Sequence, residues 1–115
     1  MSISEFEHES VKASVESFIA RRRPPEHLRD RVDLAYTWDG SEVIIFEIRP
    51  RWNDPSVTIH EHVARSKYIK SRKKWKIYWQ RADLKWHAYP PKPEVDHISA
   101  FLAEVQLDPH GCFWG

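Results

Sequence analysis

The sequence predicts an α+β domain with an N-terminal helix, an antiparallel meander of about five strands and a C-terminal helix packed on one sheet face. Apolar residues recur at helical spacing near both ends of the chain, and between these regions they alternate with polar residues. The length of 115 residues fits a single domain covering residues 1–115. We expect the helices to cover one face of the sheet and to leave the other face in water.

The first helix is predicted to begin at Ser4, because Glu7 three residues later completes a capping-box pattern. Its apolar stripe consists of Phe6, Val11, Val15, Phe18 and Ile19. Residues 21–23 are three arginines, which suit the negative end of a helix dipole, and Pro24 prevents continuation of the helix. A phosphate contact is the alternative interpretation of this basic triplet.

Residues 31–52 are typical of a β-hairpin with its turn at Asp39-Gly40. The apolar sets of its two strands are Val32, Leu34, Tyr36 and Trp38, and Ile44, Phe46 and Ile48. These sets share one face only if the numbers of paired residues sum to an even value, for example with Leu34 opposite Phe46. That register requires a loop with an odd number of residues, such as a three-residue turn with Gly40 in the left-handed region.

The remaining segments complete the predicted fold. Residues 53–60 should form a connection, and further strands are expected around residues 63–70, 74–81 and 84–89. Three prolines between residues 90 and 93 exclude a central strand there. A helix from about Glu94 to Val105 should bury Ile98, Phe101, Leu102 and Val105. Phe113 and Trp114 should dock onto the core, or else serve a partner.

Two-residue turns at Ser71-Arg72 and Ala82-Asp83 would set the register of the last three strands. The predicted cross-strand pairs are Tyr68 with Trp75, Lys67 with Lys76, Arg65 with Tyr78, Ile77 with Ala88, Trp79 with Trp86, Tyr78 with His87 and Lys76 with Tyr89. The face beneath the helices would then hold Trp75, Ile77, Trp79, Leu84, Trp86 and Ala88.

The opposite face of these strands is the predicted binding surface. Residues 65–85 contain nine basic residues against one acid, although the net charge of the chain is only +1. Cations interspersed with tyrosines and a histidine are the residue types that hold phosphates and stack on unpaired bases. The candidate nucleic-acid-binding residues are Arg65, Lys67, Lys74, Lys76, Tyr78, Lys85, His87 and Tyr89. An ordinary solvated basic face is the competing interpretation.

A metal-dependent nuclease is a second hypothesis. Asp33 would lie opposite Glu47 in the first hairpin, and an Asp followed on the next strand by Glu-x-Lys is the arrangement of a nuclease superfamily. Here Arg49 replaces the lysine and cannot readily accept a proton. The pattern therefore favours a salt-bridge cluster of Asp33, Glu47, Arg31 and Arg49. His60 and His62 lack a clear third ligand.

Composition removes several other classes of function. Three glycines cannot supply a glycine-rich phosphate loop, and Cys112 alone forms neither an intrachain disulfide nor a cysteine zinc site. No signal peptide or membrane-spanning run is apparent, so a cytoplasmic location is expected. The sequence favours a non-enzymatic module without catalytic residues, metal or cofactor, with nucleic acid as its expected partner. A protein-interaction domain that uses Trp52, Phe113 and Trp114 is a third hypothesis. Oligomeric state stays open.

Several long motifs resemble one known family. They are FIARRRPP (residues 18–25), IFEIRPRWNDP (45–55), YWQRADLKWHAYPP (78–91) and the closing GCFWG. With these motifs nearly the whole chain resembles a family of small bacterial proteins called domain of unknown function three-zero-two-four. The resemblance implies a bacterial source and a stand-alone domain. It implies no reaction and no catalytic residue.

Overall fold

The protein is described by a computed structural model of residues 4–114. Its elements in chain order are helix α1 (Glu5–Arg22), a 3₁₀ turn (Glu26–Leu28), strands β1 (Asp33–Trp38), β2 (Glu42–Arg51), β3 (Asp54–Ile69), β4 (Lys74–Gln80), β5 (Trp86–Ala88) and β6 (Glu94–Val95), and helix α2 (Ile98–Leu107). The strands form one antiparallel sheet in the order β1-β2-β3-β4-β5, and β6 also pairs with β4.

Both helices lie on the same face of this sheet. Helix α1 contacts β1 and α2, and α2 contacts β3, β4 and β6. One core joins the apolar sides of the two helices to alternate strand residues, among them Leu34, Val43, Ile45, Ala64, Trp75 and Ile77. The opposite face, here called the open face, has no helix packed on it within residues 4–114. The predicted α+β class, with a helical layer on one side of an antiparallel sheet, is confirmed.

Helix α1 begins and ends where its sequence predicts. The Ser4 hydroxyl accepts a hydrogen bond from the backbone N–H of Glu7 at 3.1 Å. The three arginines lie at the C-terminus, and the third binds Asp33 with both guanidinium branches at 2.7 Å. Val11, Val15 and Phe18 are buried, but Phe6 is 83% exposed, so its assignment to the apolar stripe is wrong.

The register of the first hairpin differs from the predicted one by one residue. Leu34 pairs with Glu47, not with Phe46. Because side chains alternate between faces, this shift changes which of the two alternating sets of β2 side chains enters the core. Val43 and Ile45 are fully buried beneath the helices, while Ile44, Phe46 and Ile48 belong to the open face.

The turn of this hairpin explains the shift. The backbone N–H of Asp39 donates to the carbonyl of Glu42 at 3.4 Å, which leaves a loop of two residues, Gly40 and Ser41. Gly40 has a φ of 93°, as a tight hairpin turn of this length requires. The Asp39 carboxylate accepts the backbone N–H groups of Ser41 and Glu42 at 2.8 Å each, and these bonds lower its pKa.

The turn between β4 and β5 is one residue longer than predicted. Arg81 N–H donates to the Lys85 carbonyl at 3.2 Å, so the loop comprises residues 82–84, with Leu84 at a φ of 63°. The Asp83 carboxylate supports this loop by accepting the N–H of Lys85 at 2.9 Å. The observed pairs are Tyr78 with Ala88, Trp79 with His87 and Gln80 with Trp86. The predicted pairs between these two strands are therefore wrong.

The pairing of β3 with β4 and the C-terminal helix agree with the predictions. Tyr68 pairs with Trp75, Lys67 with Lys76 and Arg65 with Tyr78. Helix α2 begins four residues later than predicted, and it buries the predicted residues Ile98, Phe101, Leu102 and Val105. Residues 94–95, which were expected to begin that helix, instead form the short strand β6.

Strand β3 is much longer than predicted, because residues 54–60 extend it instead of forming a loose connection. A register irregularity between Ile45 and Phe46 lets both Val63 and Ala64 enter the core. Beyond it β2 and β3 continue together as a ribbon, here called the arm (residues 47–62), which has only these two strands beyond Ile48. Trp52 at its tip is 92% exposed.

Candidate nucleic-acid interface

Four of the eight predicted binding residues meet at the centre of the open face. Lys67 and Lys76 are directly opposed on β3 and β4, and Arg65 is opposed to Tyr78 two residue pairs further along, on the same face. The Arg65 guanidinium carbon lies 4.8 Å from the centre of the Tyr78 ring, and the Lys76 ammonium nitrogen lies 5.5 Å from it. These distances are typical of cation–π contacts, so the ring and the cations form one continuous patch.

The cations of this patch differ in how far they are neutralised. Arg65 binds the Glu42 carboxylate at 2.6 Å, and Lys74 is bound to Asp96. Lys67 and Lys76 form no ion pair with any residue of the described range 4–114. The acid opposite Lys76 on β6 is Glu94, but its carboxylate binds Arg72. Lys67 and Lys76 are therefore the residues best placed to contact an external anion.

Lys85 and His87 do not join the patch, which corrects the predicted site. His87 pairs with Trp79, whose side chain packs against the core, so the ladder places His87 on the helix side. Its Nε2 lies 2.9 Å from an oxygen of Asp83. Lys85 occupies the end of the turn, where its N–H helps to lower the pKa of Asp83. Both residues therefore bind the Asp83 carboxylate in the β4–β5 turn.

Tyr89 is also removed from the predicted site, because it is fully buried. Its N–H donates to the Ile77 carbonyl at 3.0 Å, and its ring packs 4.9 Å from that of Phe113. The hydroxyl donates to the Glu104 carboxylate at 2.7 Å. The one-residue extension of the preceding turn carries Tyr89 from the open face into the core.

The same shift brings Trp86 out to the open face, where it was not expected. Its ring centre lies 5.3 Å from that of His62, whose Nδ1 lies 3.3 Å from the Gln80 side-chain nitrogen. Further along, Phe46 stacks on His60 at 4.6 Å, which explains how Phe46 is 9% exposed on a face without a helix. From the sequence, the pair His60 and His62 was interpreted only as a metal site without a third ligand. Their alternation with Ile59 and Glu61 was the available signal for a shared strand face.

The carboxylates of the nuclease hypothesis are not a cross-strand pair. Asp33 pairs with Ile48, so the predicted opposition of Asp33 and Glu47 is wrong. The side chains border one small cavity of 200 Å³, but each is held by an arginine. Arg23 binds Asp33 and lowers the pKa of that carboxyl, and Arg49 binds Glu47 at 3.0 Å. A salt-bridge arrangement is present, with Arg23 in the place expected for Arg31.

The aromatic residues of the interaction hypothesis have different environments. Phe113 is buried, and the Trp114 indole N–H donates to the Val105 carbonyl at 2.7 Å. The Asp108 carboxylate accepts the N–H groups of both tail residues, at 3.1 and 2.9 Å. The tail therefore docks onto the core, as the first of its two predicted roles requires. Trp52 alone of the three is freely exposed.

Two further properties of residues 4–114 bear on function. They contain no group of three or more His, Cys, Asp or Glu side chains arranged to hold a metal ion. None of the helices in this range is both long and apolar enough to span a bilayer.

Comparison with known proteins places the chain in a family. No curated protein and no solved structure matches it. Residues 3–115 match the family described as Domain of unknown function (DUF3024). The match spans nearly the whole sequence and agrees with the resemblance of its long motifs. This protein therefore belongs to the DUF3024 family.

Proposed function

We propose that this protein is a non-enzymatic module that binds single-stranded RNA or DNA in the cytoplasm, through the open face of its sheet. The observation that carries the proposal is the opposed pair Lys67 and Lys76 beside the Tyr78 ring. The pair has no ion partner among residues 4–114, and no helix of that range covers it.

Electrostatics favour an anionic ligand at this position. Like charges directly opposed across two strands destabilise a sheet by about 0.2–1 kcal/mol. Phosphates of a bound strand, one beside each of Lys67 and Lys76, would replace this repulsion with attractive contacts and release counterions. Arg65 contributes less charge, because Glu42 already binds it at 2.6 Å.

The aromatic residues favour unpaired bases over a duplex. Tyr78 lies beside the lysines. On the same face Trp86 pairs with Gln80, two residues further along β4, and contacts His62. Stacking of one base on one aromatic ring contributes about 1–3 kcal/mol and needs a base whose face is accessible. In a duplex those faces are already stacked within the helix, so a single strand fits this surface better.

Fluorescence anisotropy with labelled single-stranded RNA, single-stranded DNA and duplex DNA tests the proposal. The variant carrying Lys67→Glu and Lys76→Glu should lose affinity for both single strands, irrespective of base sequence. Lys12→Glu is the matched control, because Lys12 is an exposed lysine of α1 on the helical side of the fold. Absence of binding at low salt, or equal loss in control and double variant, would contradict the proposal.

A further inference from the structure

The arm has an unpaired backbone edge along β3. On one side, β3 pairs with β2 from Asp54 to Lys67. On the other side it pairs with β4 only from Arg65 onward. Among residues 4–114, no backbone hydrogen bond joins the other edge of residues 54–64 to any strand or loop. This free edge is a template onto which another strand can add.

The composition of the free edge favours strand addition. Natural edges are commonly protected by lysine, proline or a covering segment. Residues 57–64 read VTIHEHVA, with β-branched residues at half of the positions and neither lysine nor proline; the one proline of the free edge, Pro55, lies next to the tip. Residues 51–58 are all exposed, so the outer half of the arm has only its own two strands for support. A two-stranded ribbon is marginally stable in water, and a third strand stabilises it.

The charge of the arm distinguishes its partner from the ligand of the open face. Residues 47–62 contain Glu47, Asp54 and Glu61 against Arg49 and Arg51, which gives a formal charge of −1 with histidines neutral. Such a segment does not attract a polyanion. It can, however, lie beside an identical segment without strong repulsion.

We propose that two copies of this protein form a two-fold dimer through antiparallel pairing of their β3 free edges. A two-fold axis makes one contact satisfy both edges, because each copy presents the same unpaired groups to the other. The axis lies near Thr58, close to the middle of the free edge. Asp54 of each copy then lies opposite His62 of the other, so that the carboxylate near the tip meets the imidazole at the base of the arm.

This pairing also gives the exposed tip a place to bind. With the axis near Thr58, the tip of one copy's arm, which carries Trp52, lies beside the base of the other copy's arm, where the free edge ends. A cleft of 660 Å³ lies there, between residues 60–62 of β3 and residues 80–84 of the β4–β5 turn. Its rim carries Leu84, which is 76% exposed. Trp52 and Leu84, two of the most exposed large apolar side chains described, would cover each other.

Oligomeric state and site-specific crosslinking test the dimer. Sedimentation velocity over a concentration series should show a species of about twice the 13.7 kDa chain mass. Thr58→Cys in a Cys112→Ser background should form a disulfide-linked dimer under mild oxidation, because the two positions meet at the axis. Lys12→Cys in the same background is the matched control and should stay monomeric in non-reducing electrophoresis.

Two further variants separate this arrangement from other dimers. Val57→Lys places a lysine on the free edge, and Trp52→Ala removes the tip contact. Each should weaken dimerisation about tenfold or more while leaving the circular dichroism spectrum unchanged. A wild-type protein that is monomeric at every concentration contradicts the inference. So does a dimer that crosslinks no better through Thr58→Cys than through Lys12→Cys, or one that tolerates both substitutions. Nucleic-acid binding is measured separately, since the arm lies outside the lysine pair.

Discussion

The Tyr89 hydroxyl donates a hydrogen bond to Oε2 of Glu104 across 2.7 Å, in the buried layer between the sheet and α2. The other oxygen of this carboxylate lies 3.3 Å from the Lys92 ammonium group. The two contacts join Tyr89 and Lys92, on either side of Pro90 and Pro91, to Glu104 in the second turn of α2. A tyrosine that its alternation pattern assigned to a binding surface is therefore a structural residue.

Tyr89→Phe should destabilise the fold without affecting ligand binding. The substitution keeps the ring but removes the hydroxyl, so Glu104 loses a donor within the core. We expect the free energy of unfolding to fall by about 1–3 kcal/mol. Urea denaturation followed by tryptophan fluorescence measures it. Tyr78→Phe, on the open face, is the matched control and should change stability by much less. Equal stabilities of the two variants would show that the Tyr89 contact contributes nothing.

Alkaline pH should weaken the fold through the half-buried Tyr36 and the buried Tyr89. Burial and the neighbouring Glu16 raise the pKa of Tyr36 to about 12. Burial and the bond to Glu104 raise the pKa of Tyr89 above its ordinary 10.0. Because the folded-state pKa exceeds the unfolded one, the contribution to stability is complete below pH 10 and is lost as pH rises through the folded-state values.

The variant carrying Tyr36→Phe and Tyr89→Phe should therefore lose stability less steeply above pH 10 than the wild type does. Denaturant unfolding at a series of alkaline pH values gives both slopes. Parallel slopes would contradict the assignment of this pH dependence to Tyr36 and Tyr89.

Lys73→Gly should stabilise the protein. Lys73 has a φ of 51° in the turn between β3 and β4, a conformation that costs a non-glycine residue about 1–2 kcal/mol. Glycine removes this strain but adds about 0.4–1 kcal/mol of flexibility to the unfolded chain, which leaves a net gain below about 1.5 kcal/mol. Ser71→Gly, in the same turn without a positive φ, adds only the flexibility and should destabilise. Thermal melts of both variants measure the difference. A melting temperature of Lys73→Gly below that of the wild type would contradict the prediction.

Trp86→Ala should weaken binding of single strands by about 1–3 kcal/mol, because one stacking surface is lost. The dependence of affinity on salt should stay the same, since no charge is removed. Phe6→Ala is the control, because Phe6 is an aromatic with 83% exposure on α1, on the helical side of the fold. Anisotropy titrations at two salt concentrations separate the effects. Unchanged affinity of the Trp86 variant would remove this residue from the interface.

The two helices, the β3–β4 pairing and the central patch could be predicted because their patterns are unambiguous. Only one face of α2 is apolar, and the β3–β4 register keeps lysines away from Trp75 and Ile77. The predicted register was wrong in the two hairpins whose turn length was predicted incorrectly. Both faces of β2 carry large apolar residues, so alternation alone could not select Val43 and Ile45 for the core.

The register of the β4–β5 hairpin was predicted incorrectly for a different reason. Leu84 adopts the left-handed conformation, which leucine rarely takes, so the loop has no glycine or asparagine to indicate three residues. Its Asp83 side chain stabilises that conformation by binding Lys85 N–H and His87. The single added residue exchanged Trp86 with Tyr89 between the two faces. Three of the eight predicted site residues, Lys85, His87 and Tyr89, depended on that one turn.

The most direct test of the open-face account is the salt dependence of single-stranded RNA binding. A plot of log affinity against log salt concentration has a slope of roughly −0.7 for each phosphate contact on a single strand. The variant carrying Lys67→Ala and Lys76→Ala should therefore show a slope less negative by about 1.4, or two contacts, at every RNA sequence tested. The account is contradicted if the wild type and this variant have the same slope, or if wild-type affinity does not change with salt.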